Sequence, residues 1–285
     1  MAEAKQKRFD LSKVALPNFK FKEVPVPNGI LVLALVICAF LLGMLTNKVT
    51  ILEKQVGTPS TTTATTTVDP AAAGQPVQPT ANIETIKALF DSGKHITFGD
   101  ANNKNLIVEV ADPSCPYCQA AGGLNPELNA QIGPQFTPES EGGTYVAPVL
   151  EIEKLVEQGE ASFVWIYFPG HGNGEMGTKA LYCAHDQGKF WPVHNKLMTK
   201  EGHDLLEKTV TNDTTKSQEL VDFLSGAADT GALKECIDSG KYDNRLTEDQ
   251  AVATTLGIQG TPGFYVNETS FPGAYSWKDM ESALK

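Results

Sequence analysis

Residues 106–118 read Leu106-Ile107-Val108-Glu109-Val110-Ala111-Asp112-Pro113-Ser114-Cys115-Pro116-Tyr117-Cys118. The first six form a short apolar run of the kind that fills a central strand, with one carboxylate inside it. Pro113 cannot donate to a ladder, so Asp112-Pro113-Ser114 ends the strand, and Ser114 is a candidate helix cap. A helix is predicted from Cys115 to about Ile132, which puts Cys-Pro-Tyr-Cys at a strand-to-helix junction. There the first cysteine meets unpaired backbone N–H groups and the positive end of the helix dipole, and both stabilise a thiolate. Cys115 is therefore expected as an exposed, acidified sulfur. A low thiol pKa makes it a good leaving group and raises the reduction potential of the pair. Cys118, deeper in the helix, is the expected resolving thiol. Pro116 in the first turn gives up no needed hydrogen bond, and Tyr117 is placed to tune and shield the pair.

Upstream of this junction the pattern predicts an amphipathic helix over 83–90, a weak strand at 95–98 and a turn at 99–105. Downstream, 133–148 is loop by composition, 149–158 has helical spacing, and 161–168 (ASFVWIYF) is a second apolar strand. Helical segments are expected at about 175–186, 189–198, 214–228, 233–239 and 247–256, then a third strand at 263–266 directly after Thr261-Pro262, then helix over 277–284. Strand, helix, strand, a block of helices, strand, helix predicts a mixed α/β sheet with a helical region inserted at about 170–245.

The 285-residue chain is long enough for one large domain or two modest ones, and its averages hide unlike segments. Residues 1–28 carry six basic and three acidic side chains; from Lys48 onward there are 17 basic and 31 acidic ones. The overall charge of −11 argues against a nucleic-acid partner. No charge lies between Glu23 and Lys48, and 30–45 reads ILVLALVICAFLLGML. With its neighbours it spans 29–47, close to the roughly 20 residues that cross a bilayer as a helix. An all-round buried globular helix and a cleaved signal peptide are the competing readings, but no clean small-x-small site closes the run. The basic flank holds 1–28 in the cytoplasm, so 29–47 is expected as a signal anchor in the lipid bilayer, with the rest of the chain outside the cell membrane. Cys38 within it reads as a small membrane apolar residue. The segment 48–82, rich in Thr, Pro and Ala, is expected to be a disordered linker, and 83–285 the folded domain.

In an oxidising compartment the even set Cys115, Cys118, Cys183 and Cys236 allows three pairings. Spacing favours a redox-active Cys115–Cys118 ring and leaves Cys183 and Cys236 to bridge two inserted helices. Taken alone the CxxC also fits half of a zinc site, with His185, His194 and Cys183 on hand, or a static disulfide, but no second CxxC supports a metal. Glu109 sits six residues before Cys115. Buried, its pKa would rise and it could shuttle a proton to or from Cys118; an outward carboxylate at a sheet edge is the other reading. Pro262 opens the third strand, where X-Pro fits either a cis bond beside Cys115 or an ordinary trans turn. Asn212-Asp213-Thr214 and Asn267-Glu268-Thr269 match N-glycosylation sequons, a pattern frequent by chance.

Three segments, in order, resemble the DsbA-like group of thioredoxin-fold thiol oxidoreductases, especially its membrane-anchored forms. They are Val110 to Cys118; Cys183-Ala184-His185-Asp186-Gln187-Gly188-Lys189-Phe190-Trp191 with His194; and Gly257-Ile258-Gln259-Gly260-Thr261-Pro262-Gly263-Phe264-Tyr265-Val266-Asn267. The resemblance covers nearly all of 83–285. It implies a thioredoxin-like fold with a helical insert, Pro262 as cis-proline, Glu109 as the buried acid and Cys183–Cys236 as a structural disulfide. Pro116, Tyr117, Thr261 and Gly263 would contact substrate, with Thr261 offering backbone hydrogen bonds to an extended chain. Phe190, Trp191 and His194 would pack helices. The implied activity is disulfide introduction into exported reduced proteins, with a membrane thiol oxidase as reoxidising partner and no cofactor; a reductase or isomerase on the same fold, or a stalk-mounted binding domain, are the rivals. Cys-Pro-Tyr-Cys also occurs in glutaredoxins, but the export signal speaks against a glutathione enzyme. Two departures stand out: 133–148 is longer and richer in Pro and Gly than is usual in the family, and Gly263 replaces the common Thr or Ala, which would leave the wall beside Pro262 more open.

Overall fold

The structure, a computed structural model, describes residues 81–285. The expected cytoplasmic segment 1–28, anchor 29–47 and nearly all of the linker 48–82 lie outside the described residues. Among the described residues no helix is long and apolar enough to cross a membrane.

Five strands make one mixed sheet: β1 (Ile96–Phe98), β2 (Leu106–Ala111), β3 (Ser162–Tyr167), β4 (Gly263–Val266) and β5 (Thr269–Pro272), in the order β1-β3-β2-β4-β5. β2 runs parallel to β3, with Leu106 opposite Ser162 and Ala111 opposite Tyr167, and the other pairs are antiparallel. All six residues of β2 are buried, which is why its sequence is a continuous rather than an alternating apolar run. Its side chains still alternate between faces. Leu106, Val108 and Val110 pack with Ile86, Leu89 and Phe90 of α1 (Ile83–Asp91); Ile107 and Ala111 enter the larger cluster on the other face, and Glu109 points there between them.

The parallel pair needs a crossover, supplied by α2 (Pro116–Gly122), α3 (Pro126–Ile132) and α4 (Pro148–Glu157). The single helix predicted over 115–132 is thus two. Gly123 ends α2 at φ 73°, where a Cβ would come within 2.4 Å of Ala147 Cβ, so the position requires a left-handed residue with no side chain. Asn125 then caps α3 by accepting from Leu128 N at 3.3 Å.

After β3 the insert contains α5 (Glu175–Asp186), α6 (Phe190–Leu197), α7 (Lys200–Leu205), α8 (Ser217–Phe223) and α9 (Thr230–Asp238); α10 (Asp243–Thr255) returns the chain to the sheet. The sequence pattern misses α7, whose first turn is polar and contains Gly202. It holds through its cap, Thr199 Oγ1 accepting from Gly202 N at 3.1 Å, and through buried Leu206 and Val210 in the wide turn that continues it. The helix expected over 214–228 shortens to α8 behind a 3-10 turn at Thr214–Lys216. β5 is missed because only Phe271 points inward and Pro272 ends it. α11 (Trp277–Met280) closes the domain. Phe190 and Trp191 pack with Phe163, and His194 is buried beside them, so these three residues build the joint between sheet and insert. Asn267 of the second sequon is buried and engaged, accepting from Leu106 N at 3.1 Å and donating to Ala283 O at 2.8 Å.

Cys183 of α5 and Cys236 of α9 are bonded, with Cα atoms 5.9 Å apart and 53 residues of separation. A crosslink that closes a loop of that length restricts the unfolded chain by about 4 kcal/mol in the chain-entropy treatment. The Cys183→Ala/Cys236→Ala protein should lose up to that amount in urea unfolding, and a loss of under ~0.5 kcal/mol would contradict the assigned structural role.

Candidate active site

β2 delivers the chain to the carboxyl end of the sheet, and α2 begins five residues later. The N-cap of α2 is Cys115 itself rather than Ser114. Ser114 serves the junction instead: its N–H and hydroxyl both donate to Asp112 Oδ1 at 2.8 Å. The exposed sulfur expected at 115 is not found. Cys115 is 3 % exposed, because Gly170, in the loop after β3, and Thr261 close over it. Cys118, a turn further in, is 1 % exposed, and its Sγ accepts from Asp112 N at 3.4 Å.

The two sulfurs are unbonded thiols whose surroundings drive their acidities apart. Cys115 is lowered from the ordinary thiol range to about 6, chiefly by a hydrogen bond from the Cys118 side chain; Thr261 and the backbone of Cys118 and Tyr117 lower it further, against the opposing effect of burial. In the thiol form, Sγ–H of Cys115 donates to the Thr261 carbonyl at 3.4 Å. In the thiolate form the Thr261 hydroxyl, which has no other partner, is the group able to donate. Cys118 moves the other way, pushed up first by burial and then by Cys115 and the negative charge of Glu109. Glu109 is fully buried, neither of its oxygens has a hydrogen-bond partner, and burial raises it to about 8, so it holds its proton at neutral pH. The sheet-edge reading of Glu109 is thereby excluded: it pairs with Trp165 on one side and Phe264 on the other.

The remaining expected site residues fall around this pair. The Thr261–Pro262 bond is cis, and Thr261 stands against Cys115. Pro116 is half-buried, while Tyr117 is 45 % exposed. Gly263 does not open a wall beside Pro262. It is buried, and a Cβ there would meet Ile258 Cδ1 at 2.7 Å, so the space is already filled. The loop 133–148 is ordered by two 3-10 turns and by Trp277 N donating to Val146 O at 2.8 Å. It stacks Phe136 edge-on against both Tyr117 and Tyr145, at 5.7 and 5.6 Å. These rings, with Thr261 and Tyr275, line a groove of about 500 Å³ beside the cysteines. Asp112, Tyr145 and Gly170 escape sequence reading as site residues. The available signal was the alternation Gly170, Gly172, Gly174 straight after an apolar strand, marking a loop that needs close backbone approach. Among the described residues no group of three His, Cys, Asp or Glu side chains is arranged to hold a metal ion.

A protein-family profile described as "Thioredoxin" matches residues 148–285. Among curated proteins, the chain is 24 % identical over 181 residues to the Na(+)/H(+) antiporter NhaA 3 of Salinispora tropica, a match covering 62 % of this chain and 22 % of that protein. It is 24 % identical over 165 residues to the "Probable disulfide bond formation protein D" of Bacillus cereus, covering 56 % of this chain and 64 % of that one. The chain thus spans about a fifth of the length of the antiporters it matches and under two thirds of the Bacillus protein. Among solved structures, Wolbachia pipientis alpha-DsbA1 superposes with a TM-score of 0.50 at 18 % identity, over 70 % of this chain and 92 % of that one. This likeness establishes the fold: residues 81–285 have a thioredoxin-like α/β fold with an inserted helical region.

Two outcomes follow from the electrostatics. Alkylation of reduced Cys115 by iodoacetamide should follow a titration with midpoint near 6, and Cys118→Ala should raise that midpoint by about 1 to 2 units, the equivalent of one hydrogen bond to a charged group; an unmoved midpoint would contradict the assigned cause. For Glu109 the folded pKa lies above the unfolded value, so the native state must keep a proton that the unfolded state releases. Stability then falls as pH rises from about 4.5 toward 8. The stability of Glu109→Gln relative to the wild type should therefore grow by about 3 kcal/mol between pH 4.5 and 7, and a pH-independent difference would show that Glu109 is not held protonated.

Proposed function

We propose that this chain is a DsbA-like thiol:disulfide oxidoreductase, acting outside the cytoplasmic membrane, that introduces disulfides into exported proteins through Cys115 and Cys118. The observation that carries the reading is the opposed acidity of the two sulfurs, Cys115 near 6 and Cys118 well above the ordinary range. A stabilised Cys115 thiolate favours the reduced pair and so makes the disulfide form oxidising. The description of the Bacillus cereus relative as a "Probable disulfide bond formation protein D" supports the same direction.

In the oxidised protein a substrate thiolate attacks Cys115 Sγ, a mixed disulfide forms, and Cys118 leaves with the electron pair. Cys118 is a poor thiolate in its buried setting, and the proton that Glu109 keeps at neutral pH supports a role for this carboxyl as the acid that neutralises it. A second substrate thiolate then attacks the substrate sulfur of the mixed disulfide and expels Cys115, the better leaving group. The substrate has lost two electrons and two protons, and the enzyme holds a dithiol. A membrane thiol oxidase, as the electron acceptor, restores the disulfide. Thr261 and Pro262 form one wall of the exchange site, Tyr117 and Pro116 the other, and the groove along Tyr117, Phe136 and Tyr275 receives the substrate chain. Tethering through 29–47, with the linker 48–82 giving reach, would keep the domain at the surface where exported chains emerge.

The test is direct. The oxidised protein should form disulfides in a reduced unfolded polypeptide, Cys115→Ser should abolish this, and the Cys115–Cys118 couple should lie above thioredoxin's reduction potential of about −270 mV. A potential at or below that value assigns the protein to reduction or isomerisation instead, and unchanged activity in Cys115→Ser assigns it to binding.

A further inference from the structure

Cys115 is covered by Thr261 and by one thin piece of chain. The segment Pro169–Gly174 leaves β3 and runs over the start of α2, and its residues Gly170 and His171 are themselves exposed. Gly170 lies so close that a Cβ on it would stand 2.0 Å from Thr261 Oγ1, 2.9 Å from Cys115 Cβ and 3.2 Å from Cys115 Sγ. What holds this segment down is a side chain that the exchange reaction does not use. Asp112, with no exposed surface, accepts from Gly170 N at 2.7 Å and from His171 N at 3.0 Å through Oδ2, while Ser114 N and Oγ occupy Oδ1. Asn173 N adds a bond to Ser114 Oγ at 3.2 Å, and Asn212 Nδ2 one to Gly172 O at 2.6 Å. A Cβ on Gly174 would fall 1.8 Å from Asp112 Oδ1, so the segment is fitted to this carboxylate at both ends.

We propose that Asp112 is a positioning residue whose carboxylate holds Pro169–Gly174 as a cover over Cys115, so that access to the reactive sulfur is set by release of the Gly170 and His171 amides from Asp112. An arriving polypeptide can supply what the cover gives up. Lifting Gly170 frees the Sγ and the Thr261 edge together, and an extended substrate strand has backbone groups to pair with that edge, whereas a small thiol has none. This rests on the reading of Cys115 as the exchanging sulfur. Alkylation tests the cover separately, since it needs no exchange activity: a protein that fails to oxidise substrates yet shows the gated alkylation below loses the function and keeps the cover.

The experiment uses the full chain, reduced, and measures the iodoacetamide rate at Cys115 divided by its thiolate fraction, taken from absorbance near 240 nm against pH. Peptide-resolved hydrogen exchange is followed on the same samples. In the wild type, 170–174 should be protected despite its exposure. In Asp112→Asn the side chain loses its charge and one acceptor: with the amide nitrogen toward Gly170 and His171 both cover bonds are lost, and with it toward Ser114 they are kept only on a neutral, weaker acceptor. The rate per thiolate should rise at least about tenfold, the factor expected for losing a hydrogen bond to a charged acceptor. Protection should vanish at 170–174 and persist at 162–167 in β3, which separates local release from global unfolding. Ser114→Ala, which frees Asn173 N, should give a smaller rise of the same kind and decides the matter if Asp112→Asn does not fold. A folded Asp112→Asn protein whose rate per thiolate changes by less than about threefold, within the spread of a lost surface hydrogen bond, overturns the proposal, as does unprotected exchange at 170–174 in the wild type.

Discussion

Because β2 occupies the middle of the sheet and is covered on both faces, whatever follows its last residue starts inside the protein. That constraint governs the site. Asp112, Ser114, Cys115 and Cys118 are all buried, so every polar atom among them must find a partner or carry a desolvation cost. Asp112 finds four donors. Cys118 gets one backbone N–H, and Cys115 takes the Cys118 thiol, Thr261 and the open end of α2. The two sulfurs thus differ in acidity because one stands where a helix has donors to spare and the other stands a turn deeper, where those donors are already spent on the helix.

Glu109 shows that this region is not optimised for stability. A shift from 4.5 to about 8 means that ionising the side chain costs about 5 kcal/mol more in the fold than in water. A typical hydrogen bond contributes about 1 kcal/mol net, and Glu109 makes none. An apolar residue would suit the interior better by any packing argument. What Glu109 would offer under the proposed function is a proton at a buried place near enough to Cys118 for its charge to disfavour that thiolate. Two buried acids that disfavour each other's ionisation can pass one proton between them with little change in total charge.

The reading of 106–118 as strand, stop and helix start was available from the sequence because each step has a local cause: an apolar run, a proline, a helix beginning at Pro116. The same holds for α5, whose bounds the pattern predicts unchanged, and for β4 after Thr261-Pro262. The sequence missed what depends on contacts across the fold. Cys115 was expected to be exposed because dipole arguments see only its own helix, whereas its cover comes from residues 55 and more positions away. Gly263 suggested open space only because Ile258, which fills it, belongs to the preceding turn. The break between α2 and α3, by contrast, has local signals that reading 115–132 as one helix passed over: Gly123 as a left-handed stop, then Asn125 as cap and Pro126 in the first turn. What the sequence does not show is that Ala147, 24 residues on, packs where a side chain at 123 would stand.

Fold and chemistry reach their conclusions from separate parts of the chain. The family profile begins at residue 148, after both reactive cysteines, so recognition of the thioredoxin-like half owes nothing to the CxxC. The redox reading, conversely, starts from the strand-to-helix junction at 106–118 and needs no relative. The two meet at one contact, Cys115 Sγ against Thr261, separated by 146 residues in sequence and 3.4 Å in space. There the Thr261 hydroxyl has no other partner, and the sulfur beside it is lowered to about 6. Under the proposed function such a donor has a use, since the charge that appears on Cys115 when it is expelled from the mixed disulfide needs a group that is not bound elsewhere while the sulfur is neutral.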